Sequence, residues 1–586
     1  MIKNLRLTIV IITFILLFSA VLIRLFYWQI VTGEKLATIA DNQHFFTLEL
    51  PAKRGEIVDS SKNPLVANEI SFMLIANFKN INIPKTELVS KLSNVLAQEE
   101  IKNNLSTNEN NQEIINQKKD ELKTLLNNPN IIWVPLAHKI SSATKKEIDK
   151  LDIKGLEFEN EEKRFYPEGS SSAHLLGFVG KDINGKDKGY FGLEGYYDLQ
   201  LKGKNGELRQ EKDALGRPII LGDQDEIKPK KGRTLVSTID KSIQIKIEKH
   251  LKNGIENYGA KGGSVIVMDP NSGAILGMAS FPSYDPINFQ KYDKESYKNP
   301  VVADAFEPGS IMKPLIMSAA LEENKIKPDT KCPKCSNPRV IGDYVIKTFN
   351  DVYHPNLTMT EILENSDNTG MVYVGEILGK AKVYQYLKKF GFGELTEIDL
   401  QEEEQGSVKN SDDWYPIDAA TVTFGQGIAV TQIQMIRAFS ALANGGNLVK
   451  PFIVQKIIDQ EKEIDVTPKE STKILKSEVS KVISEMLVSV TEKSPLHFPK
   501  DRIPELSKYR IAAKSGTAQI PISGHYDPNK TIGSVIGFAP AENPKFIVLV
   551  RLLEPSVRTW GSDTAGPIFF NIVKDLLTYY GINPKP

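Results

Sequence analysis

Leu7 to Ile23 is an uncharged, mostly apolar run of 17 residues, and no later stretch of the 586-residue chain is long enough to cross a bilayer in the same way. As a helix the run is about 26 Å long. Arg24 behind it can snorkel, and Tyr27 and Trp28 suit a membrane interface. With the following Leu25 to Val31 the segment is long enough to span. A cleaved signal peptide has a shorter apolar core and a small-residue cleavage site, whereas bulky aromatics follow here, so an uncleaved anchor is the favoured reading. Lys3 and Arg6 precede the span and place the N-terminus inside. The chain should therefore divide into a cytoplasmic tail (1–6), a transmembrane anchor (7–31) and a large body on the far side of the membrane.

That body is too long for one core. Lys+Arg and Asp+Glu both total 73, so the formal net charge is zero and nothing suggests a nucleic-acid partner. Residues 32–232 have the texture of short α/β elements and loops, with a polar Asn/Lys/Glu/Gln-rich insertion near 99–130. That insertion reads equally as a polar helical pair or as a disordered segment. From residue 233 the pattern changes. Thr234–Asp240 predicts a strand, followed by a helix with Ile243, Ile245, Ile247 and Leu251 on its apolar side. Ser264–Asp269 and Ala274–Ala279 flank a Pro-Asn-Ser-Gly turn and predict a hairpin. Gly533–Phe538 and Phe546–Arg551 predict another, and Pro567–Tyr580 predicts an amphipathic helix. The fold class is α+β, with one antiparallel sheet sandwiched by helices in residues 233–586.

The two cysteines form Cys332-Pro333-Lys334-Cys335. Zinc and redox chemistry are both open to a CxxC pair, but no second pair or paired histidines accompany it. A short loop oxidised outside the cytosol is favoured, and no metal or cofactor is expected.

The chemistry concentrates in three short segments: Ser310-Ile311-Met312-Lys313, Ser366-Asp367-Asn368 and Lys514-Ser515-Gly516-Thr517. Ser310 precedes an apolar helical pattern, near a helix N-terminus that favours developing negative charge. Lys313 lies on the same face and can act as its base. A lysine is almost wholly protonated at neutral pH, so this role predicts a buried Lys313 with Lys514 close by. Ser366 can relay a proton to a leaving amine. Asn368 can bind a substrate amide or orient Lys313. The plainer reading of these residues is a turn that caps a helix. Lys514–Thr517 reads as a strand along a cleft, where Gly516 would let a substrate backbone approach. The N–H groups of Ser310 and Thr517 are the natural oxyanion donors, Lys514 and Thr517 would hold a substrate carboxylate, and Ser515, Gly516 and Thr517 are the candidate substrate-binding residues. Ser142-Ala143-Thr144-Lys145 has the same Ser-x-x-Lys spacing on a charged helix without companions, and reads as surface.

With Phe306-Glu307-Pro308-Gly309, Ala279-Ser280-Phe281-Pro282 and Thr423-Phe424-Gly425-Gln426-Gly427, these segments make the chain resemble the penicilloyl-serine transferases. Within them it is similar to the class B penicillin-binding proteins of the division type, the penicillin-binding protein 3-like branch. Arg54-Gly55-Glu56, Arg164-Phe165-Tyr166-Pro167 and Gly192-Leu193-Glu194 look like that family's pedestal signatures. The resemblance implies a pedestal (32–232) whose Arg54, Arg164 and Glu194 join an interdomain polar network. It also implies a penicillin-binding, serine β-lactamase-like transpeptidase domain (233–586). The implied activity is cross-linking of peptidoglycan stem peptides ending in D-Ala-D-Ala through a Ser310 acyl-enzyme. β-Lactams would acylate the same serine. The implied partners are a membrane glycosyltransferase and division proteins, on a single-pass protein of the bacterial cytoplasmic membrane. Three alternatives stay open: the cell-elongation branch, a β-lactamase or β-lactam sensor, and a non-catalytic division scaffold. For a lactamase, the acidic residues Glu394, Glu397 and Glu402–Glu404 would have to position water, and they read instead as a solvated loop.

Overall fold

The computed structural model describes residues 2–103, 111–127, 133–213, 219, 222, 224–494, 503–522 and 525–584. The chain forms two compact units, residues 1–54 with 202–232 and residues 55–201 with 233–586.

The first unit begins with the helix Ile2–Phe26, which continues through a wider turn, Tyr27–Val31. Among the described residues, Asn4–Val31 is the one helix long and apolar enough to cross a membrane, and none of that span is buried against the protein. A helix apolar on every side with no protein cover is what a lipid environment stabilises. A second helix, Gly33–His44, leads into a three-stranded antiparallel sheet ordered Phe45–Leu50, Gly206–Glu211, Gln224–Ile227.

The second unit holds two main sheets. One contains, in order, Lys462–Asp465, Val454–Asp459, Thr234–Ser237, Ile57–Val58, Pro64–Asn77 and Trp133–Ile140, with Leu156–Phe165 also on Pro64–Asn77. Ile57–Val58 runs parallel to Leu235–Val236, so this sheet joins strands from both sides of residue 232. Against its far end pack the helices Lys85–Asn103 and Asn111–Leu126, which bury Leu88, Leu92, Leu122 and Leu126 in a core of their own. The polar insertion is thus a helical pair wherever it is described. Residues 104–110 and 128–130 of it lie outside the described residues.

The other sheet is five-stranded and antiparallel, ordered Ile275–Phe281, Gly262–Met268, Phe546–Leu553, His525–Ala539, Ala512–Ile522. Both expected hairpins are present in it. Phe546–Leu553 is buried along nearly its whole length, because helices cover both faces. This explains why it reads as a continuous apolar run and not as an alternating one. One face carries Lys241–Tyr258 and Gly561–Tyr579, which together bury Ile243, Ile247, Leu251, Phe569, Phe570 and Val573. Asp240 caps the first of these helices by accepting from the N–H groups of Ser242 and Ile243. Ile245, expected on its apolar side, is 47% exposed. The buried row follows the four-residue spacing 243, 247, 251, and 245 falls off it.

The last helix also differs from expectation. It starts at Gly561, so Pro567 lies inside it and not at its head. The early start is fixed by a distant group, the Thr517 hydroxyl, which accepts from the Gly561 N–H at 2.9 Å. The opposite face of the sheet carries Gln432–Ala443 and Ser477–Lys493. The near-fully buried helix Lys313–Glu322 packs against the second of these, and brings the Ser310 segment to the sheet's edge.

Candidate active site

The Ser310 turn is clamped from several directions. Gly309 has a φ of +57° and its N–H donates to the Gly425 carbonyl at 3.0 Å. A side chain on Gly425 would lie 2.2 Å from the Gly309 carbonyl oxygen, so only glycine fits there. Phe306 exchanges both backbone hydrogen bonds with Val430. Beneath, the buried Arg551 of the central strand stacks its guanidinium 4.8 Å from the Phe306 ring centre and pairs with Asp304 at 3.4 Å. Thus the Thr423–Gly427 motif and the sheet together fix where the serine stands. Residues Gly309–Met312 form a 3-10 turn that passes directly into the Lys313 helix. In such a turn positions three apart eclipse, which sets Ser310 and Lys313 on one side.

Lys313 is fully buried and Lys514 is 1% exposed. The Lys313 Nζ donates to the Ser366 carbonyl (2.5 Å), the Ser366 hydroxyl (3.2 Å) and the Asn368 Oδ1 (2.8 Å). The Lys514 Nζ donates to the same Ser366 hydroxyl at 3.0 Å and to the Ser515 carbonyl at 3.0 Å. Three segments separated by 53 and 148 residues therefore meet at one oxygen. Burial, with the Lys514 charge adding to it, pushes the Lys313 amine well below the ordinary lysine range; Asp367 opposes this. Burial alone pushes Lys514 down to about 7. With both Nζ groups donating to its lone pairs, the Ser366 hydroxyl keeps its proton free to donate elsewhere.

Ser366-Asp367-Asn368 is both things the sequence allowed. Asp367 caps the helix Asn368–Leu378, accepting from the Gly370 N–H at 2.8 Å and the Thr369 hydroxyl at 2.7 Å. Ser366 sits at φ +52°, a left-handed conformation costing about 1–3 kcal/mol for a residue with a side chain. That twist is what turns its carbonyl and hydroxyl together onto Lys313. Asn368 orients Lys313 with its oxygen, and its nitrogen donates to the Lys347 carbonyl at 3.0 Å.

Gly516 is closely packed on its Cβ side. A side chain there would lie 2.7 Å from Ser534 Oγ, 3.1 Å from the Pro308 carbonyl and 3.1 Å from Ile311. The close approach it permits in the structure is that of the Ser310 turn to the strand. The same packing sets a side chain on Gly309 3.2 Å from the Thr517 carbonyl. The Ser310 turn thus adjoins the backbone at Thr517, on a strand that pairs on one side only among the described residues. Ser515 is buried.

The acidic loop is less solvated than its composition suggests. Glu403 accepts from the Thr396 N–H (2.6 Å), the Thr396 hydroxyl (2.5 Å) and the Glu397 N–H (2.9 Å). Glu394 pairs with Lys388 and Glu397 with Lys450. Those carboxylates shape their own loop and make no bond to Ser310, Lys313 or Ser366. Ser142–Lys145 lies on a short helix capped by Ser141. Cys332 and Cys335 form a buried disulfide. Of the expected pedestal network, Arg164 Nε donates to Glu194 Oε1 at 2.6 Å and its Nη1 to Asn68 at 2.8 Å. Arg54 belongs to the first unit, where it is buried. The sequence assigned no role to Arg551, which sits inside a strand without a local mark, or to Glu307, which entered only as part of the Phe306–Gly309 lead-in.

The pattern defining the penicillin binding protein transpeptidase domain matches residues 263–574, and that of the penicillin-binding protein dimerisation domain matches residues 49–237. The chain belongs to the penicillin-binding proteins with a transpeptidase domain. It is 34% identical to stage V sporulation protein D of Bacillus subtilis, over 98% of this chain and 86% of that protein. It is 27% identical to the peptidoglycan D,D-transpeptidase FtsI of Escherichia coli, over 96% and 89%. A crystal structure of a peptidoglycan synthetase from Bifidobacterium adolescentis superposes with a TM-score of 0.70 at 26% identity, covering 92% of this chain and 98% of that one. Penicillin binding protein 3 of the tubercle Mycobacterium, crystallised with aztreonam, shares the fold with a TM-score of 0.67 at 23% identity, over 92% and 98%.

Proposed function

We propose that this chain is a serine D,D-transpeptidase that cross-links peptidoglycan stem peptides, and that β-lactams acylate it at Ser310. The observation that carries the reading is the convergence of Lys313 and Lys514 on the Ser366 hydroxyl beside the Ser310 turn. Lys313, in its neutral form, takes the Ser310 proton as Oγ attacks the carbonyl between the two terminal D-alanines. The N–H groups of Ser310 and Thr517 hold the oxyanion, each worth about 3 kcal/mol. The C–N bond then breaks, and the Ser366 hydroxyl passes its proton to the departing D-alanine while taking in exchange the one held by Lys313. This leaves the peptide esterified on Ser310. An amine of a neighbouring stem attacks the ester by the reverse proton path, which forms the new peptide bond and frees Ser310. Lys514, Ser515 and Thr517 hold the terminal carboxylate during the first step.

The helix Asn4–Val31 acts as the membrane anchor, with residues from about 32 onward on the outer side. Septal wall synthesis, with a membrane glycosyltransferase and division proteins as partners, fits the Phe306–Gly309 lead-in and the relatives named FtsI. The 34% identity to a sporulation protein favours a second setting for the same chemistry, wall synthesis in a sporulating cell. Labelling the purified full-length chain with a fluorescent penicillin, then mapping the labelled peptide, tests the activity. Label on Ser310 is expected, with an adduct that persists for hours. Label elsewhere overturns the assignment, and turnover within seconds favours a lactamase. Imaging the tagged protein through division and sporulation separates the two settings.

A further inference from the structure

Glu307, three residues before Ser310, joins three parts of the chain that are far apart in sequence. Its Oε1 accepts from the Gly427 N–H at 3.0 Å, and the Tyr526 hydroxyl donates to its two oxygens at 3.2 and 3.1 Å. Gly427 belongs to the segment that clamps the nucleophile turn. Tyr526 lies near the end of the hairpin formed by Ala512–Ile522 and His525–Ala539, opposite Pro521 and four residues beyond the Thr517 position. The pairing of these strands is regular up to Gln519–Thr531, then jumps to Ile520–Asp527. Such an irregularity bends a hairpin and re-aims the side chains beyond it. Here the bend brings Tyr526 to a glutamate 219 residues earlier in the chain. The Tyr526 ring is 39% exposed, so its hydroxyl contact, and not core packing, is what it contributes.

We propose that Glu307 is a positioning residue, a latch that ties the far end of the hairpin to the nucleophile turn and so fixes the spacing between Ser310 and the Lys514–Thr517 strand. The proposal rests on the transpeptidase reading above. The strand that would hold the substrate carboxylate is at the sheet's edge, with one neighbouring strand among the described residues, so its lateral position needs a second tether. The Gly516 packing supplies one tether at the level of Ser310, and Glu307 supplies another beyond Gln519. Among the described residues no lysine or arginine pairs with this carboxylate. Burial, unrelieved by any cation, pushes its carboxyl up from the ordinary range. A carboxylate held by a phenol and an amide alone is a contact whose geometry matters more than its charge.

The test uses the full-length chain and saturation kinetics of acylation by a fluorescent penicillin, with Tyr526→Phe, Glu307→Gln and the double substitution. Tyr526→Phe should lower the first-order acylation constant about three- to tenfold, the loss expected of one ordinary intramolecular hydrogen bond. The dissociation constant of the complex preceding acylation and the melting temperature should stay at wild-type values. A part that merely supports folding would shift the melting temperature instead. The double substitution should be no slower than the slower single one, because both remove the same contact. If Glu307→Gln loses stability, Tyr526→Phe alone decides, since it deletes one exposed oxygen. Wild-type acylation at Ser310 with Tyr526→Phe equally fast, or with losses that multiply in the double substitution, overturns the latch and leaves the transpeptidase reading intact. Failure of the wild type to label at Ser310 overturns both.

Discussion

At two of the places where it buries charged side chains, the second unit treats them in opposite ways. At Arg164–Glu194, a guanidinium and a fully buried carboxylate neutralise each other at 2.6 Å, and Asn68 takes another guanidinium hydrogen. At Lys313 and Lys514, two amines of the same sign share one hydroxyl, and the nearest carboxylate, Asp367, is occupied in capping a helix. The first arrangement sets opposite charges against each other, although the buried Arg164 Nη2 has no hydrogen-bond partner among the described residues. The second makes protonation costly, and a lysine driven toward the neutral form becomes a base. A buried charge that the fold declines to neutralise, within reach of a nucleophile, is the feature that separates a reactive cluster from a structural one.

The comparison breaks most visibly through Ser310→Ala. The covalent penicillin adduct should vanish altogether, because no other group can form that ester, while the melting temperature stays within a degree or two; adduct on another residue would remove the basis of the reading. Next in size is Lys313→Met, expected to slow acylation by about 10²–10⁴-fold, the range of a lost general base. Its effect on stability should be small. The oxygens of Ser366 and Asn368 lose a donor, at about 1–3 kcal/mol, but the cost of keeping an amine out of water disappears with it. Acylation kinetics and chemical denaturation of the same variant measure both.

Arg164→Met should do the converse. It leaves Glu194 buried without its closest partner, which costs about 3 kcal/mol or more of stability. Acylation per folded molecule should not change. An Arg164→Met protein that is as stable as wild type but acylates slowly would move this pair from the structural side of the comparison to the reactive one.

The reactive side was the more legible of the two in the sequence, because its chemistry depends on short contiguous segments. Ser310–Lys313 needs only a helical turn, and Asp367 as a helix cap also fixes Ser366 and Asn368 beside it. The two hairpins were readable for the same local reason, a turn with β-branched flanks. Relations between segments were not readable. Nothing local to Gly516 says that Pro308 and Ile311 lie against it. The last helix was placed six residues late because its true start is set by Thr517, 44 residues away. Glu403 was taken for solvated because its three donors fold back from Thr396 and Glu397 only once the loop has closed. Tyr526 has no local partner at all, and its meeting with Glu307 depends on a bend in strand pairing that no residue type announces.

The smallest expected effect is the sharpest test of the two lysines. Lys514 is pushed down to about 7, and Lys313 further, partly by the Lys514 charge. Lys313 should therefore lose its proton first, giving the rising limb of acylation against pH. For a substrate with a carboxylate, the falling limb should lie about 7, where Lys514 loses the charge that holds it, and each further pH unit should cost up to about tenfold. Because the two amines interact, the limbs belong to the pair. Stability should move the other way. In the unfolded chain lysine titrates near 10.4, so between about 7 and 10 the unfolded chain binds the extra proton and folding gains as pH rises, a contribution lost as pH falls through the folded value. Lys514→Arg keeps its charge across this range and should abolish the falling limb while lowering the maximum, since a planar guanidinium cannot take the place of the amine on Ser366. A wild-type profile that stays flat up to pH 9 with a carboxylate-bearing penicillin would show that Lys514 does not need its charge, and the buried amines would then differ from Arg164–Glu194 in packing alone.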